Sequence, residues 1–193
     1  PRQDTEILVE TALEKIKEIS NPVSLLDMCT GSGCIVLSIL YYMKNKKQIT
    51  GTGVDISDKA LEVAIKNAKS LDLSVNFLQS DLFDKITDKY SIIVSNPPYI
   101  RSDVIKTLQE EVREHDPMLA LDGMEDGLYF YRKIISESKK YLQADGYLIF
   151  EIGHEQGLDV SNMMKDAGFR DVLIKKDLAG LDRVVLGVYD TKR

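Results

Sequence analysis

The sequence has no tryptophan, only two cysteines, and no apolar run long enough to cross a bilayer. The two cysteines, Cys29 and Cys34, are too few for a disulfide framework, which indicates a reducing compartment and predicts a cytoplasmic protein. A membrane-spanning helix needs about 20 consecutive apolar residues. The longest apolar stretch, Cys34–Met43, is much shorter and is interrupted by Ser38. We therefore expect neither disulfides nor membrane association.

Basic residues are also fewer than acidic ones: the sequence has 25 Lys and Arg residues and 31 Asp and Glu residues, which gives a net charge of −6. Proteins that bind nucleic acid through its phosphates carry a basic footprint. The acidic balance therefore argues against nucleic acid as the direct substrate, although it is compatible with a local basic groove. At 193 residues and 44% hydrophobic content, the chain is expected to form one domain with a sizeable core.

Metal-ligand patterns are missing as well. The two histidines, His115 and His154, have no partners at metal-ligand spacing, and the two cysteines do not form a C-x-x-C pair. We expect no metal site.

Helical and strand-like hydrophobic patterns alternate along the chain. Predicted strands cover Val23–Met28, 52–55, 75–79, Tyr90–Ser95, 146–152, 172–176 and 183–189. Predicted helices cover 5–20 (capped by Asp4), Cys34–Met43, 58–71 (capped by Ser57), 103–112, 128–142 and 159–167. Strands joined by helical crossovers form a parallel sheet covered on both faces. The last two strands have no helix between them, so the pattern predicts a Rossmann-like three-layer α/β sandwich with a mainly parallel seven-stranded sheet and an antiparallel edge hairpin.

A glycine-containing turn, residues 27–33 (DMCTGSG), follows the first predicted strand. Gly31 and Gly33 permit a close ligand approach that a β-carbon would obstruct. Asp55 ends the second predicted strand, 22 residues beyond Gly33, where a carboxylate can accept both hydroxyls of a ribose. The combination predicts a nucleoside cofactor at the carboxyl ends of the strands. The alternative is a tight turn with a capping, exposed Asp55.

The identity of the nucleoside follows from what surrounds this turn. Val36 stands where the dinucleotide fingerprint requires a third glycine, which disfavours an NAD-linked oxidoreductase. Asp27 just before the turn would repel a phosphate but suits a cation, and S-adenosylmethionine carries a sulfonium and an α-ammonium. Asp81 could accept a hydrogen bond from the adenine amino group, with Leu82 or Phe83 packing on the ring. The alternative for Asp81 is a capped loop residue.

A second unusual segment, residues 96–99 (NPPY), follows the fourth predicted strand. Pro97 and Pro98 make a stiff corner that lacks N–H donors. The Asn96 side-chain oxygen and the Pro97 carbonyl are two acceptors for one substrate –NH2 group, and Tyr99 supplies a ring for a planar group to pack on. This arrangement predicts methyl transfer to nitrogen by positioning and electrostatics. The alternative is a Pro-Pro turn with an asparagine cap.

Taken together, these segments resemble the HemK/PrmC family of protein-glutamine methyltransferases. The matching segments are residues 1–6 (PRQDTE), 27–33, 53–57 (GVDIS), 80–83 (SDLF), 95–100 (SNPPYI), 117–123 (PMLALDG), 126–128 (DGL) and 131–132 (YR). Met124 stands where the family commonly has a second glycine, and Cys29 where many members have glycine. The resemblance covers essentially the whole chain.

The resemblance implies a class I methyltransferase that uses S-adenosylmethionine to methylate a glutamine side-chain amide in a peptide-chain release factor. The implied cofactor-binding residues are Asp27, Cys29, Thr30, Gly31, Ser32, Gly33, Asp55, Ile56, Asp81, Leu82 and Asn96. The implied catalytic residues are Asn96, Pro97 and Tyr99, with Pro98 added for substrate binding. Family members carry an N-terminal helical domain, so residues 1–193 are expected to correspond to the catalytic domain alone.

Other functions remain compatible with the sequence. The NPPY tetrapeptide is shared with adenine-N6 and guanine-N2 nucleic-acid methyltransferases, which would need a basic groove beside Tyr99. A non-catalytic cofactor-binding module that docks onto the translation machinery is a third hypothesis. The polar residues 110–114 are interpreted as a solvated helix face or as part of a lid over the substrate.

Overall fold

The computed structural model describes residues 3–20, 22–105 and 118–191. The described strands are β1 (Val23–Met28), β2 (Ile49–Asp55), β3 (Asn76–Gln79), β4 (Tyr90–Ser95), β5 (Leu142–Glu151), β6 (Phe169–Lys176) and β7 (Asp182–Tyr189). The described helices are α1 (Gln3–Glu18), α2 (Cys34–Met43), α3 (Asp58–Ser70), α4 (Ser102–Ile105), α5 (Met118–Leu121), α6 (Tyr129–Ser138) and α7 (Gly157–Asp166). Across these ranges, no helix has the length and apolar composition needed to cross a membrane.

The strands form one seven-stranded sheet in the order β3-β2-β1-β4-β5-β7-β6. The first five strands in this order are parallel, whereas β7 runs antiparallel to both β5 and β6. The predicted mainly parallel sheet with an antiparallel edge hairpin is therefore confirmed. The strand order reverses between β1 and β4, and ligands of such sheets bind at the carboxyl ends beside that reversal.

The core lies on both faces of the sheet because neighbouring residues of a buried strand point to opposite sides. In β1, Leu25 packs with α1 and α2 on one face, and Leu26 packs with α6 and α7 on the other. Ile92 and Ile93 of β4 divide in the same way, and all four side chains are fully buried. The helices thus cover both faces, as a three-layer sandwich requires.

The largest difference from the predicted elements is at the start of β5. The hydrophobic pattern predicts a helix over 128–142, but α6 ends at Ser138 and β5 begins at Leu142, which pairs with Tyr90 of β4. Tyr90 N also donates a 2.7 Å hydrogen bond to the Tyr141 carbonyl. Pairing with a distant strand therefore ends the helix earlier than its local pattern indicates.

Two other predictions need comment. The helix predicted over 103–112 begins as α4, and its residues 106–112 lie outside the described ranges. The short helix α5 was not predicted. By contrast, β1, α2 and β4 have the predicted bounds, and the Ser57 hydroxyl accepts a hydrogen bond from Ala60 N as the predicted cap of α3.

Candidate active site

A cavity of about 340 Å³ opens at the carboxyl ends of β1, β2 and β4. Its lining comes from the loops after these strands and after β3, from the start of α3, and from the segment around α5 and the start of α6. The lining residues are Met28, Cys29, Gly31, Val54, Asp55, Ile56, Ser57, Ala60, Ser80, Asp81, Leu82, Asn96, Pro98, Ala120, Met124, Tyr129 and Phe130. The structure therefore joins the glycine turn, the acidic residues and part of the NPPY segment in one site.

The charge of this cavity is one-sided. Asp55 and Asp81 are its charged lining residues, and among the residues that the structure describes no lysine, arginine or histidine lines it. Most of the remaining lining is apolar, so ring systems can pack there while the two carboxylates attract donors or a cation. A phosphate-bearing ligand would be repelled by both carboxylates. The lining therefore fits an uncharged nucleoside attached to a cationic group.

Asp55 is held in place by the loops around it. Gly31 N donates a 2.8 Å hydrogen bond to Asp55 Oδ2, and Ser57 N donates a 2.9 Å hydrogen bond to Oδ1. Each carboxylate oxygen can accept a further hydrogen bond. Asp55 therefore lies in the cavity in a fixed orientation, with acceptor capacity left for the two hydroxyls of a ribose.

The two glycines of the turn serve different purposes. Gly31 lines the cavity with φ +57°, and a Cβ built on it would meet no protein atom within 4 Å, so it borders open cavity space. A Cβ on Gly33 would lie 3.1 Å from Ala64 Cβ and within 3.3 Å of a Phe77 ring atom. Gly33 is thus a packing residue, and neither it nor the neighbouring Thr30 and Ser32 lines the cavity.

Asp27 lies beneath the turn and does not line the cavity either. Its side chain is fully buried, and its Oδ2 accepts hydrogen bonds from Thr30 Oγ1 at 2.6 Å and from Val36 N at 3.2 Å. Its Oδ1 has no hydrogen-bond partner within the described ranges. Burial raises the pKa of Asp27 to about 7, against the lowering effect of these two hydrogen bonds. Asp27 therefore holds the turn together and keeps one unpartnered acceptor below it.

The residues proposed for the adenine side divide into a cavity group and a core group. Asp81 and Leu82 line the cavity, together with Ser80. Phe83 does not: its ring is buried and stacks on Tyr141, with centroids 4.7 Å apart and planes inclined by 3°. Because Phe83 is used in the core, Leu82 is the residue that remains to pack on adenine.

The NPPY segment divides in a similar way. Asn96 and Pro98 line the cavity, whereas Pro97 is buried and Tyr99 is half-buried against the core on the α6 and α7 side. Just before the segment, the buried Ser95 hydroxyl donates a 2.7 Å hydrogen bond to the Met28 carbonyl. This bond joins the ends of β4 and β1, so Asn96 is anchored beside the glycine turn.

Several lining residues were not predicted. Four of them follow residues 106–117 in the chain, namely Ala120, Met124, Tyr129 and Phe130. Of these four, only Ala120 lies within a segment that resembles the family, residues 117–123. Met124, which replaces a common glycine, has φ +69°, a left-handed conformation that glycine adopts without strain.

Metal ligands and reactive thiols are not features of this site. Across the ranges that the structure covers, no group of three or more histidine, cysteine, aspartate or glutamate side chains could hold a metal ion. Cys29 and Cys34 are free thiols, and burial raises the pKa of both. The polar groups that line the cavity are carboxylates, an amide, hydroxyls and backbone groups.

Comparison with known proteins agrees with this geometry. The sheet order, the antiparallel β7 and the cavity at the strand reversal define a class I methyltransferase, and the model of the "Methyltransferase small domain" family matches residues 3–124. The chain is 45% identical to the release factor glutamine methyltransferase of Clostridium acetobutylicum, over 97% of this chain and 66% of that protein. It is 44% identical to that of Thermodesulfovibrio yellowstonii, over 96% of this chain and 67% of that protein. The chain belongs to the release factor glutamine methyltransferase family.

A solved structure is similar over nearly all of the chain. The release factor-specific protein-(glutamine-N5) methyltransferase of Alicyclobacillus acidocaldarius is 29% identical, with a TM-score of 0.60, and the match covers 98% of this chain and 94% of that one. The chain spans about two thirds of the length of the two curated relatives above.

Proposed function

We propose that this chain transfers a methyl group from S-adenosylmethionine to the side-chain amide nitrogen of a glutamine in a peptide-chain release factor. Residues 1–193 would act as one catalytic domain, with a protein substrate and without a metal. Because release factors work in translation, the proposal also implies a cytoplasmic site of action. The family membership and the chemistry of the cavity support it.

The observation that carries the proposal is the cavity with two carboxylates, no basic lining residue among those described, and open space beside Gly31. Asp55 would accept the ribose hydroxyls, and Asp81 would accept the adenine amino group while Leu82 packs on the ring. Asp27, buried beneath the turn, would favour the cationic ammonium group through its charge rather than by lining the cavity. Cys29 and Ile56, which line the cavity, complete the proposed cofactor contacts, and Thr30, Ser32 and Gly33 would support them by shaping the turn.

When bound, the cofactor supplies an electrophilic methyl group on its sulfonium, and it leaves as a neutral thioether after transfer. The side-chain oxygen of Asn96 and the Pro97 carbonyl would each accept one hydrogen from the glutamine –NH2 group. This pairing directs the nitrogen toward the cofactor and lets the protein act by orientation. Pro98 and Tyr99 would bound the planar amide, and the methylated nitrogen loses one proton to solvent.

In the deciding experiment, the purified chain and labelled S-adenosylmethionine are incubated with one of three acceptors in separate reactions. The acceptors are a bacterial release factor, DNA and tRNA. We expect label in the release factor alone, mapped by mass spectrometry to one glutamine. A release factor in which that glutamine is replaced by asparagine serves as the matched control and should stay unlabelled. Labelled DNA or tRNA would favour the nucleic-acid amino methyltransferase instead.

Cofactor binding is measured separately by calorimetry. Binding of S-adenosylmethionine with no methylation of any acceptor would support the non-catalytic module. Binding of NAD without binding of S-adenosylmethionine would contradict the whole assignment.

A further inference from the structure

Gln156 uses its side-chain amide to join three separate segments beside the cavity. Its Nε2 donates hydrogen bonds of 3.1 Å to the carbonyls of Tyr99 and Gly127, and its Oε1 accepts a 3.0 Å hydrogen bond from Gly153 N. Both hydrogens of the amide and its oxygen are therefore used. Gln156 is half-buried, so these bonds are partly shielded from water.

The position of Gln156 in the chain makes this use of its side chain notable. Gln156 is the N-cap residue of α7, and its backbone carbonyl accepts from Val160 N. N-cap side chains usually bond to their own helix. The Gln156 side chain makes no such cap. It bonds instead to Tyr99 and Gly127, which precede it in the chain by 57 and 29 positions.

The segments that Gln156 joins are packed backbone to backbone. A Cβ built on Gly127, which has φ +73°, would lie 2.5 Å from the Tyr99 carbonyl oxygen and 2.9 Å from Gln156 Nε2. A Cβ built on Gly123 would lie 2.8 Å from Tyr99 Cα. The 122–128 loop therefore lies directly against the backbone of Tyr99, and a side chain at either glycine position would clash with it.

Both joined segments line the cavity. The NPPY segment contributes Asn96 and Pro98, and the 122–128 loop contributes Met124. Backbone bonds also link the segments, from Gly123 N to the Ile100 carbonyl at 2.8 Å, but they lie beyond the tetrapeptide. The Gln156 bond to the Tyr99 carbonyl acts on the last residue of the tetrapeptide itself.

We propose that Gln156 is a positioning residue for methyl transfer: it sets the geometry of residues 96–99 relative to the cofactor cavity without touching cofactor or substrate. The proposal rests on the proposed function. It predicts that loss of the two donated hydrogen bonds lowers turnover far more than it lowers cofactor affinity, because the cofactor turn and Asp55 are held by other bonds.

Gln156→Glu and Gln156→Met test this through pH. An ionised carboxylate keeps the bond from Gly153 N but faces two carbonyls with no hydrogen to donate, whereas its protonated form regains one donor. At pH 8 we expect kcat of both variants to fall about tenfold or more, with the Kd for S-adenosylmethionine changed less than about threefold. On lowering the pH to 6, kcat of Gln156→Glu relative to wild type should rise, while the ratio for Gln156→Met stays flat.

Gln143→Glu is a matched control. Gln143 also makes three side-chain bonds, to Ser24 Oγ, the Lys89 carbonyl and Ser91 Oγ, but at the opposite end of the sheet from the cavity. Its kcat should stay within about twofold of wild type. Wild-type kcat in Gln156→Glu at pH 8, or a loss in both Gln156 variants that does not depend on pH and follows a fall in cofactor affinity, would overturn the proposal.

Hydrogen exchange separates this proposal from the proposed function. Gln156→Met should speed amide exchange in peptides covering 96–102 and 122–128, and Gln143→Met should not. If wild type binds the cofactor but methylates no release factor, the proposed function fails. The exchange data would still test whether Gln156 holds residues 96–102 and 122–128 in place. Unchanged exchange in both peptides would overturn that role independently of turnover.

Discussion

The backbone N–H of Gly31 donates a 2.8 Å hydrogen bond to Asp55 Oδ2, joining the turn after β1 to the end of β2. Because Ser57 N holds the other carboxylate oxygen, the orientation of Asp55 is set from both sides. The glycine turn and the acidic residue are therefore one unit, in which the loop that borders the ligand space also aims the carboxylate into it.

Asp55→Asn tests this unit. The –NH2 group of the asparagine would have to face the N–H of Gly31 or of Ser57, and two donors cannot form a hydrogen bond. The substitution also removes the negative charge. We expect the affinity for S-adenosylmethionine to fall about 10- to 100-fold by calorimetry, which corresponds to roughly 1–3 kcal/mol. The exposed Asp58→Asn variant, on the first turn of α3, is the control and should bind like wild type. Equal affinity in Asp55→Asn would contradict a ribose role.

The two glycines of the turn should respond differently to the same substitution. Gly31→Ala puts a methyl group into open cavity space, so we expect weaker cofactor binding and a stability loss of about 1 kcal/mol from the left-handed backbone. Gly33→Ala combines left-handed backbone with crowding against Ala64 and Phe77, so its larger effect should be on stability. Urea unfolding and calorimetry on both variants measure this. The reverse pattern would show that Gly33 is the ligand contact.

The parts of the site that the sequence predicts are those that depend on neighbours along the chain. Buried apolar runs give β1 and β4 their bounds, and Ser57 caps α3 through a residue three positions away. Gly31 follows β1 and Asp55 ends β2, so their shared edge is implied by parallel pairing. These features need only local pattern and strand order.

The remaining features depend on contacts between distant segments. Gln156 meets Tyr99 and Gly127 across many residues, and nothing in its local sequence marks a glutamine at a helix start as a tertiary link. Asp27 is a proposed cofactor residue, and the structure shows the turn folded over it, with its Oδ2 bonded to Thr30 and Val36. Charge and position alone do not reveal which side of a turn a side chain occupies.

Burial of Asp27 should give stability an unusual pH dependence. Its pKa is about 7 in the folded chain and near 3.8 when exposed. Between these values the folded chain keeps a proton that the unfolded chain has lost, so this group's contribution to stability falls as pH rises from about 4 to 7. Asp27→Asn cannot titrate there.

Urea unfolding of wild type and Asp27→Asn at pH 4.5, 6 and 7.5 checks this. We expect the free energy of unfolding of wild type relative to the variant to fall with pH by on the order of a few kcal/mol. The exposed Asp88→Asn variant should track wild type across the range. A difference that grows with pH would mean that Asp27 is ionised in the folded chain.

Asn96 should control turnover rather than folding. Asn96→Ala removes one of the two acceptors proposed for the glutamine –NH2 group, and we expect kcat to fall about 100-fold, since a single preorganised polar group at a transition state is worth roughly 3 kcal/mol. Asn96→Asp keeps an acceptor oxygen at the same place and should retain more activity than Asn96→Ala. Asn76→Ala, an exposed change on β3, is the control for asparagine loss as such. Turnover by Asn96→Ala at the wild-type rate, with cofactor binding intact, would rule out the proposed orientation of the amide.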